Sequence, residues 1–244
     1  MKALVLRLDA PLLAFGGVAV DAHGVIDRFP GTAMMTGLFG NALGWDHADA
    51  RSLQTLQGRL QLAARWDLEP VELVDYHTVD MGQPKMADPG WTTRGKPEHR
   101  LGGSAAKFGT HQRYRHYWAD GLMTVVATLS PPDADPGLEA LERAVRHPQR
   151  PLFLGRKTCL PSRPLLDPAH PLIEGANLYE ILAGVPVWDR SGRPAAAWGQ
   201  RPACWPADIE ADRSQVRRVY DLRDWVNQIP VGSRMRREGF IREG

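Results

Sequence analysis

The chain has 244 residues, of which 43% are hydrophobic and 24% are charged. That is enough apolar material for one sizeable core, while 24 Gly and 20 Pro favour strands, turns and loops over a helical bundle. The formal net charge of +2 is too small to indicate a partner by itself. Cys159 and Cys204 form neither a disulfide framework nor a metal cluster, so a reducing, cytoplasmic compartment is expected. Arg7 and Asp9 interrupt the apolar start before a signal-peptide core could form, and no apolar run is long enough to cross a membrane.

The hydrophobic pattern alternates between strand and helix periods along the first two thirds of the chain. In chain order, the predicted elements are a strand at 3–8, helices at 33–43 and 48–60, an extended segment at 61–79 bent at Glu69-Pro70, a strand or hairpin at 111–130 broken at Asp120-Gly121, a helix at 138–145 and a strand at 151–159. This order predicts an α+β, ferredoxin-like (RRM-like) βαββαβ domain.

Two changes in composition suggest the domain organisation. Residues 80–110 are rich in Gly and Pro and show no period, which inside a compact domain indicates a functional insertion or disorder. From about residue 161 the chain is richer in Pro, Trp and Arg. We therefore expect one domain at 1–164 and a small β-rich C-terminal region at 165–244, with one helix near 174–182.

The segment from Trp91 to Trp118 carries the positive excess of the chain. It holds six Lys and Arg residues against one acidic residue, interleaved with aromatic rings on a glycine-rich backbone. Single-stranded RNA is bound by this combination, because cations follow the phosphates while bases stack on rings. Side chains alternate along a strand, so His111, Arg113, Arg115 and Tyr117 are expected on one face. A solvated loop with a charged edge strand is the structural alternative.

Two shorter segments could also contact a phosphate. Arg28 and Thr32 flank the start of the first helix, where a hydroxyl and free backbone N–H groups can seat an anion. The simpler interpretation is that Thr32 caps a core helix. Gly155, placed before two cations, would allow close backbone approach at a strand end, although glycine in a strand is as often a bulge.

Signals for catalysis and for cofactors are weak. The eight His lack ligand spacing, and there is neither a Gly-x-Ser-x-Gly sequence nor a phosphate-binding loop ending in Gly-Lys-Ser/Thr. His77, beside Tyr76, is the best single acid–base candidate. We therefore expect no enzymatic activity, no metal and no cofactor.

Five motifs together resemble one known family. They are Leu6-Arg-Leu-Asp-Ala-Pro-Leu, Arg28-Phe-Pro followed by Thr36-Gly-Leu-Phe-Gly-Asn-Ala-Leu-Gly, Asp75-Tyr-His-Thr-Val, Thr110-His-Gln-Arg-Tyr-Arg-His-Tyr and Leu152-Phe-Leu-Gly-Arg-Lys-Thr-Cys. In this order they resemble the CasD-type (RAMP superfamily) subunits of the type I-E CRISPR complex Cascade. The match covers about residues 1–164. Gly31 and Ala33 depart from the family pattern, which has Thr and then often a polar or basic residue at these positions.

The resemblance implies a fold and a role. The fold would be a ferredoxin-like domain with an inserted β-hairpin thumb at about 80–112. The role would be non-catalytic: holding the 5′ handle of the CRISPR RNA, capping the filament of backbone (CasC-type) subunits and contacting the large (CasA-type) subunit, in antiviral defence. Target DNA would be met only through the assembled complex, and no membrane is involved.

The expected RNA-binding residues combine these motifs with the cationic segment. They are Arg28, Thr32, Tyr76, His77, Arg94, Lys96, Arg100, Lys107, Phe108, His111, Arg113, Arg115, Gly155, Arg156 and Lys157. Two alternatives remain open. One is a metal-independent endoribonuclease that processes repeat RNA with side chains among Tyr76, His77, Lys107, His111 and His116. The other is a stand-alone RNA-binding module.

Overall fold

A computed structural model describes residues 1–17, 22–80, 90–91, 97–98 and 110–242, with backbone only at 79–80, 90–91, 97–98 and 110–111. The α-helices of these residues are α1 (Thr32–Leu43), α2 (Ala50–Arg59), α3 (Leu138–Arg146) and α4 (Leu178–Gly184), and a short 3-10 helix spans His47–Asp49. The strands are β1 (Lys2–Asp9), β2 (Leu12–Leu13), β3 (His23–Gly24), β4 (Leu60–Leu68), β5 (Val71–Asp80), β6 (Gly90–Trp91), β7 (Pro97–Glu98), β8 (Thr110–Ala119), β9 (Leu122–Leu129), β10 (Leu172–Glu174), β11 (Gln200–Pro206), β12 (Gln215–Val219), β13 (Arg223–Asp224), β14 (Ile229–Pro230) and β15 (Arg234–Arg242). None of the described helices is long and apolar enough to span a bilayer.

A seven-stranded antiparallel sheet in the order β10-β1-β9-β4-β11-β15-β12 forms the centre of the fold. Strands β1 and β9 are buried along almost their whole length, because both faces of the sheet are covered. Leu4 and Leu6 pack into the cluster that includes residues of α1 and α3, whereas Ala3 and Val5 pack into the cluster with α4. The continuous apolar pattern of these strands follows from this two-sided burial.

The C-terminal residues extend this same sheet. Strand β11 pairs with β4 at Ala203↔Arg65, and β10 pairs with β1. The sheet therefore crosses the boundary expected near residue 164. The helix expected near 174–182 begins at Leu178, because the Asn177 side chain accepts a hydrogen bond from the Glu180 N–H and so caps it.

Helix α1 starts differently from the prediction. Its cap position is Gly31 with no side-chain cap bond, so the prediction that Thr32 caps it is wrong. The Thr32 N–H instead donates to Oδ2 of Asp221 at 3.0 Å, and the Ala33 N–H donates to the Asp221 carbonyl at 3.0 Å. Arg234 holds the same carboxylate at 2.7 Å. A Cβ on Gly31 would lie 2.7 Å from Cβ of Asp221, which accounts for glycine at this position.

Residues 151–159 form a turn rather than the predicted strand. The N–H of Leu154 donates to the Cys159 carbonyl at 2.8 Å, and the N–H of Cys159 donates to the Arg156 carbonyl at 2.9 Å. Gly155 has a φ of +104°, and a Cβ there would lie 1.8 Å from the Ala14 carbonyl oxygen. A left-handed backbone and close approach both require glycine. The strand beside β1 that follows α3 is β10 instead.

A second sheet is built around β8. Strand β5 pairs with one edge of β8 from Val71↔Ala119 to Asp80↔Thr110, and β2 and β3 pair with the other edge. The expected thumb at about 80–112 lies mostly outside the described residues, between the ends of β5 and β8. Strands β8 and β9 are separated at Asp120, which has a φ of 60°, as the sequence predicted.

A buried cluster of charges links the first strand to β4. Arg7 is 1% exposed and binds Asp67 at 3.0 Å and Asp167 at 2.8 Å. Burial lowers the pKa of Arg7, and the attraction of the two carboxylates opposes that effect. The Arg in the first motif therefore acts inside the protein and not at its surface.

Candidate nucleic-acid interface

A cleft of about 580 Å³ lies between the second sheet and the turn at 155–158. Its lining residues are Ala22, His23, Gly24, Arg113, Tyr114, Arg115, Gly155, Arg156, Lys157 and Thr158. We call it the cation cleft. Five of the predicted RNA-binding residues line it, although they come from two segments that the fold brings together.

Arg156 holds the turn against the second sheet. Its Nη1 donates to the His116 carbonyl at 2.7 Å, and its Nη2 donates to the Gly24 carbonyl at 2.8 Å. The guanidinium carbon lies 4.7 Å from the centroid of the Tyr117 ring. Because both Nη groups donate to backbone carbonyls and one face of the guanidinium lies over the Tyr117 ring, Arg156 is better suited to fixing the shape of the cleft than to binding a phosphate.

The exposed cations of the cleft are Arg113, Arg115 and Lys157. Neither Arg115 nor Lys157 makes an ion pair or a side-chain hydrogen bond within the described part of the chain. Their charge is therefore available to an external anion. Tyr117, expected beside them, is 3% exposed, because β8 enters the core at this end.

Aromatic rings cross the other face of β8. The His23 and Tyr114 rings are stacked with centroids 4.8 Å apart, and the Tyr76 and Tyr114 centroids are 5.0 Å apart. Side-chain alternation separates Tyr114 from Arg113 and Arg115. We call His23, Tyr114 and Tyr76 the ring row. Tyr76 is 49% exposed, so its face is open for stacking.

Two histidines near this row are held by carboxylates. Nδ1 of His116 lies 2.6 Å from Oε1 of Glu72, and the His77 imidazole is hydrogen-bonded to the Asp75 carboxylate. The pairs lie on opposite faces of the hairpin, because their positions along β5 and β8 alternate. They do not form one acid–base dyad.

The remaining predicted residues are separated from the cleft or lie outside the described residues. Arg28 faces Glu69 at 3.6 Å and does not line the cleft. Thr32 is 3% exposed and its N–H is already bonded to Asp221, so the basis for a phosphate seat at Thr32 is removed. Outside the described residues are Arg94, Lys96, Arg100, Lys107 and Phe108; His111 is described by its backbone only.

Metal or thiol chemistry finds little support in the described residues. None of them form a group of three or more His, Cys, Asp and Glu that could hold a metal ion. Both cysteines are buried, and burial raises the pKa of Cys159 and raises that of Cys204 to about 12. Both thiols are therefore protonated at neutral pH and are poor nucleophiles.

Comparison with known proteins identifies the family. Residues 3–237 match the family model described as CRISPR-associated protein (Cas_Cas5). The chain belongs to this family. The Cas5 chain is 32% identical over 170 residues to the CRISPR system Cascade subunit CasD of Escherichia coli (strain K12), a match that covers 66% of this chain and 68% of that protein.

Two solved structures share the fold of the Cas5 chain. A chain of a structure titled "CRISPR RNA-guided surveillance complex" matches with a TM-score of 0.67 and 22% identity, over 98% of this chain and 90% of that one. A second, titled "Crystal structure of Cas protein", matches with a TM-score of 0.63 and 22% identity, over 99% and 95%. The sequence-based recognition of the family is thus confirmed.

Proposed function

We propose that this Cas5 chain is a non-catalytic subunit of a CRISPR RNA-guided surveillance complex, and that its cation cleft binds the 5′ handle of the CRISPR RNA. Family membership and the 32% identity to the Cascade subunit CasD support a place in such a complex. The observation that carries the RNA-binding role is the cation cleft, in which Arg113, Arg115 and Lys157 are exposed beside stacked rings.

The physical basis of binding is a division between the two faces of β8. Arg113 and Arg115 face one side, where Lys157 also lines the cleft, and Arg115 and Lys157 together can neutralise about two phosphates. The ring row lies on the other side and offers stacking to bases without regard to sequence. His23 and Tyr114 of the ring row also line the cation cleft, so RNA bound there can contact both rings and cations.

The partners follow from the same proposal. The subunit caps the filament of backbone (CasC-type) subunits, contacts the large (CasA-type) subunit and meets target DNA through the assembled complex, in the cytoplasm. The thumb expected at about 80–112, whose proposed role is to contact the guide, lies mostly outside the described residues. The strand order β10-β1-β9-β4 supports a ferredoxin-like core, in which β10 takes the place expected for residues 151–159.

Co-purification tests the proposal. The chain is expressed with its operon partners and CRISPR RNA, as wild type and as Arg113→Glu/Arg115→Glu. We expect the double variant to lose the ribonucleoprotein, because two cations that face the cleft become anions. The matched control is Arg143→Glu/Arg218→Glu, which makes the same charge change on α3 and β12. Full assembly of the cleft variant would refute the role of the cleft.

The endoribonuclease alternative has one observation in its favour: two imidazoles are oriented by carboxylates, as acid–base groups often are. Purified chain is therefore incubated with repeat RNA in EDTA. The non-catalytic role predicts intact RNA. Specific products with cyclic phosphate ends, lost in His77→Ala or His116→Ala, would favour the enzyme.

A further inference from the structure

A second cleft, of about 620 Å³, also borders the turn at 155–157. Its lining combines residues of helix α1 with Trp45 and Arg150 and with Arg223 and Trp225. We call it the indole cleft. Its volume lies within the range of about 300–1,000 Å³ that is usual for small-molecule sites.

Glycines of α1 shape this cleft. A Cβ on Gly40 would lie 3.7 Å from the Trp45 ring, and a Cβ on Gly37 would lie 3.5 Å from the Trp225 ring. The two indoles thus lie close to the helix at positions one turn apart. Trp225 is fixed, because its Nε1 donates to Gln57 at 3.1 Å, whereas Trp45 is only half-buried. The result is an apolar trough with a bare backbone at Gly37.

The rim of the indole cleft is cationic. Arg150, Arg156, Lys157 and Arg223 line it, and Asp46 is the one acid among its described lining residues. Arg150 is 42% exposed at its side chain and lies 3.9 Å from Asp46, a distance that leaves its charge only weakly compensated. An anionic ligand with a flat apolar part fits this combination of rim and trough.

Lys157 and the neighbouring Gly155 and Arg156 line both clefts, so the two sites are adjacent. A polyanion held in the cation cleft has its next phosphates beside Lys157, at the mouth of the indole cleft. A protein segment would not need this cationic rim, and the rim therefore favours a nucleotide as the occupant.

We infer that the indole cleft is a subsite that receives one unstacked nucleobase of the RNA bound in the cation cleft. This inference rests on the proposed function, because it places the phosphate of that nucleotide at Lys157. The base lies on α1 near Gly37 and against the Trp45 ring. Insertion removes one base from any stack in the strand and fixes the register of the RNA on the subunit.

Gly37→Gln tests the subsite without disturbing the fold. An added Cβ at Gly37 makes only an ordinary contact, and replacing glycine within a helix raises its intrinsic helix propensity. The longer side chain projects into the trough and competes with a base. Gly58→Gln is the matched control on α2, where nothing lies within 4 Å of an added Cβ.

Binding is measured with the full chain and single-stranded handle RNAs that carry one abasic site at successive positions. For wild type, we expect one abasic position to weaken binding by about tenfold, the scale of one lost base-stacking contact. Gly37→Gln is also expected to weaken binding of intact RNA about tenfold. It should bind the RNA with the sensitive position abasic as tightly as wild type does. Its affinity should fall with salt as steeply as that of wild type. Gly58→Gln should match wild type throughout.

Three outcomes would overturn the inference. They are an RNA series in which no abasic position matters, a Gly37→Gln chain that binds intact RNA as wild type does, and a variant complex that loses a protein subunit at unchanged RNA affinity. The last would make the cleft a protein-docking site. Failure of the cation cleft itself is distinct, because it abolishes the salt-dependent binding that Gly37→Gln preserves.

Discussion

Neutralising Arg115 and Lys157 should reduce the salt dependence of RNA binding by a definite amount. Both side chains are exposed and line the cation cleft from different segments. On single-stranded nucleic acid, each neutralised phosphate contributes about 0.7 to the slope of log affinity against log salt. Arg115→Gln/Lys157→Gln should therefore lower the slope by about 1.4, whatever the remaining cations of the chain contribute.

The consequence is measurable over an ordinary salt range. Between about 50 and 200 mM salt, a slope difference of about 1.4 makes wild type lose about sevenfold more affinity than the double variant. The assay is fluorescence polarisation of labelled single-stranded RNA with the purified full chain at four or more salt concentrations. Dividing the affinity loss of wild type by that of the double variant cancels the salt-dependent contributions that the two proteins share.

Arg143→Gln/Arg218→Gln controls for net charge, because it removes the same two charges away from the cleft. We expect its slope to equal that of wild type. Equal slopes for all three proteins, or equal reductions in both variants, would refute the assignment of phosphate contacts to the cation cleft and would indicate a diffuse attraction.

Two further predictions concern the turn and the cysteines. Gly155→Ala should lower the melting temperature and weaken RNA binding. The left-handed φ, and a Cβ that would lie 1.8 Å from the Ala14 carbonyl oxygen, force the turn to move. The control Gly199→Ala is also at positive φ but has open space around its Cβ, so it should lower the melting temperature less. Cys159 and Cys204 should resist a thiol reagent at pH 8 in the folded chain and react fully in denaturant. Both are buried, and burial raises the pKa of Cys204 to about 12. Rapid labelling of the native chain would contradict this packing.

Elements with a strong local signal could be predicted from the sequence. The apolar run of β1 and the helical spacing in α1, α2 and α3 identified these elements within a few residues, because the pattern alone specifies a buried strand or an amphipathic helix. The break between β8 and β9 at Asp120-Gly121 could also be predicted from neighbouring residues alone. In contrast, residues 151–159 are as apolar as a strand, but the contact between Gly155 and Ala14 turns them, and that contact joins distant parts of the chain.

The site shows the same limit. Arg113, Arg115 and Lys157, which line the cation cleft, could be selected as candidates from charge, because a cation in a glycine-rich or strand segment is visible in the sequence. The ring row could not, since His23 meets Tyr114 only through the pairing of β3 with β8. The helix start at Thr32 was misjudged for a related reason: Asp221, which occupies it, is 189 residues away in the sequence.

The position of the C-terminal strands in the main sheet has a consequence for biosynthesis. A nascent chain that has emerged only to residue 164 has neither β10 beside β1 nor β11 beside β4. It therefore presents two unpaired strand edges, which are templates for misassociation with other chains. Completion of the sheet waits for β15, and pairing at such sequence separation is slow. Fragments ending near the apparent domain boundary are consequently poor substitutes for the whole chain.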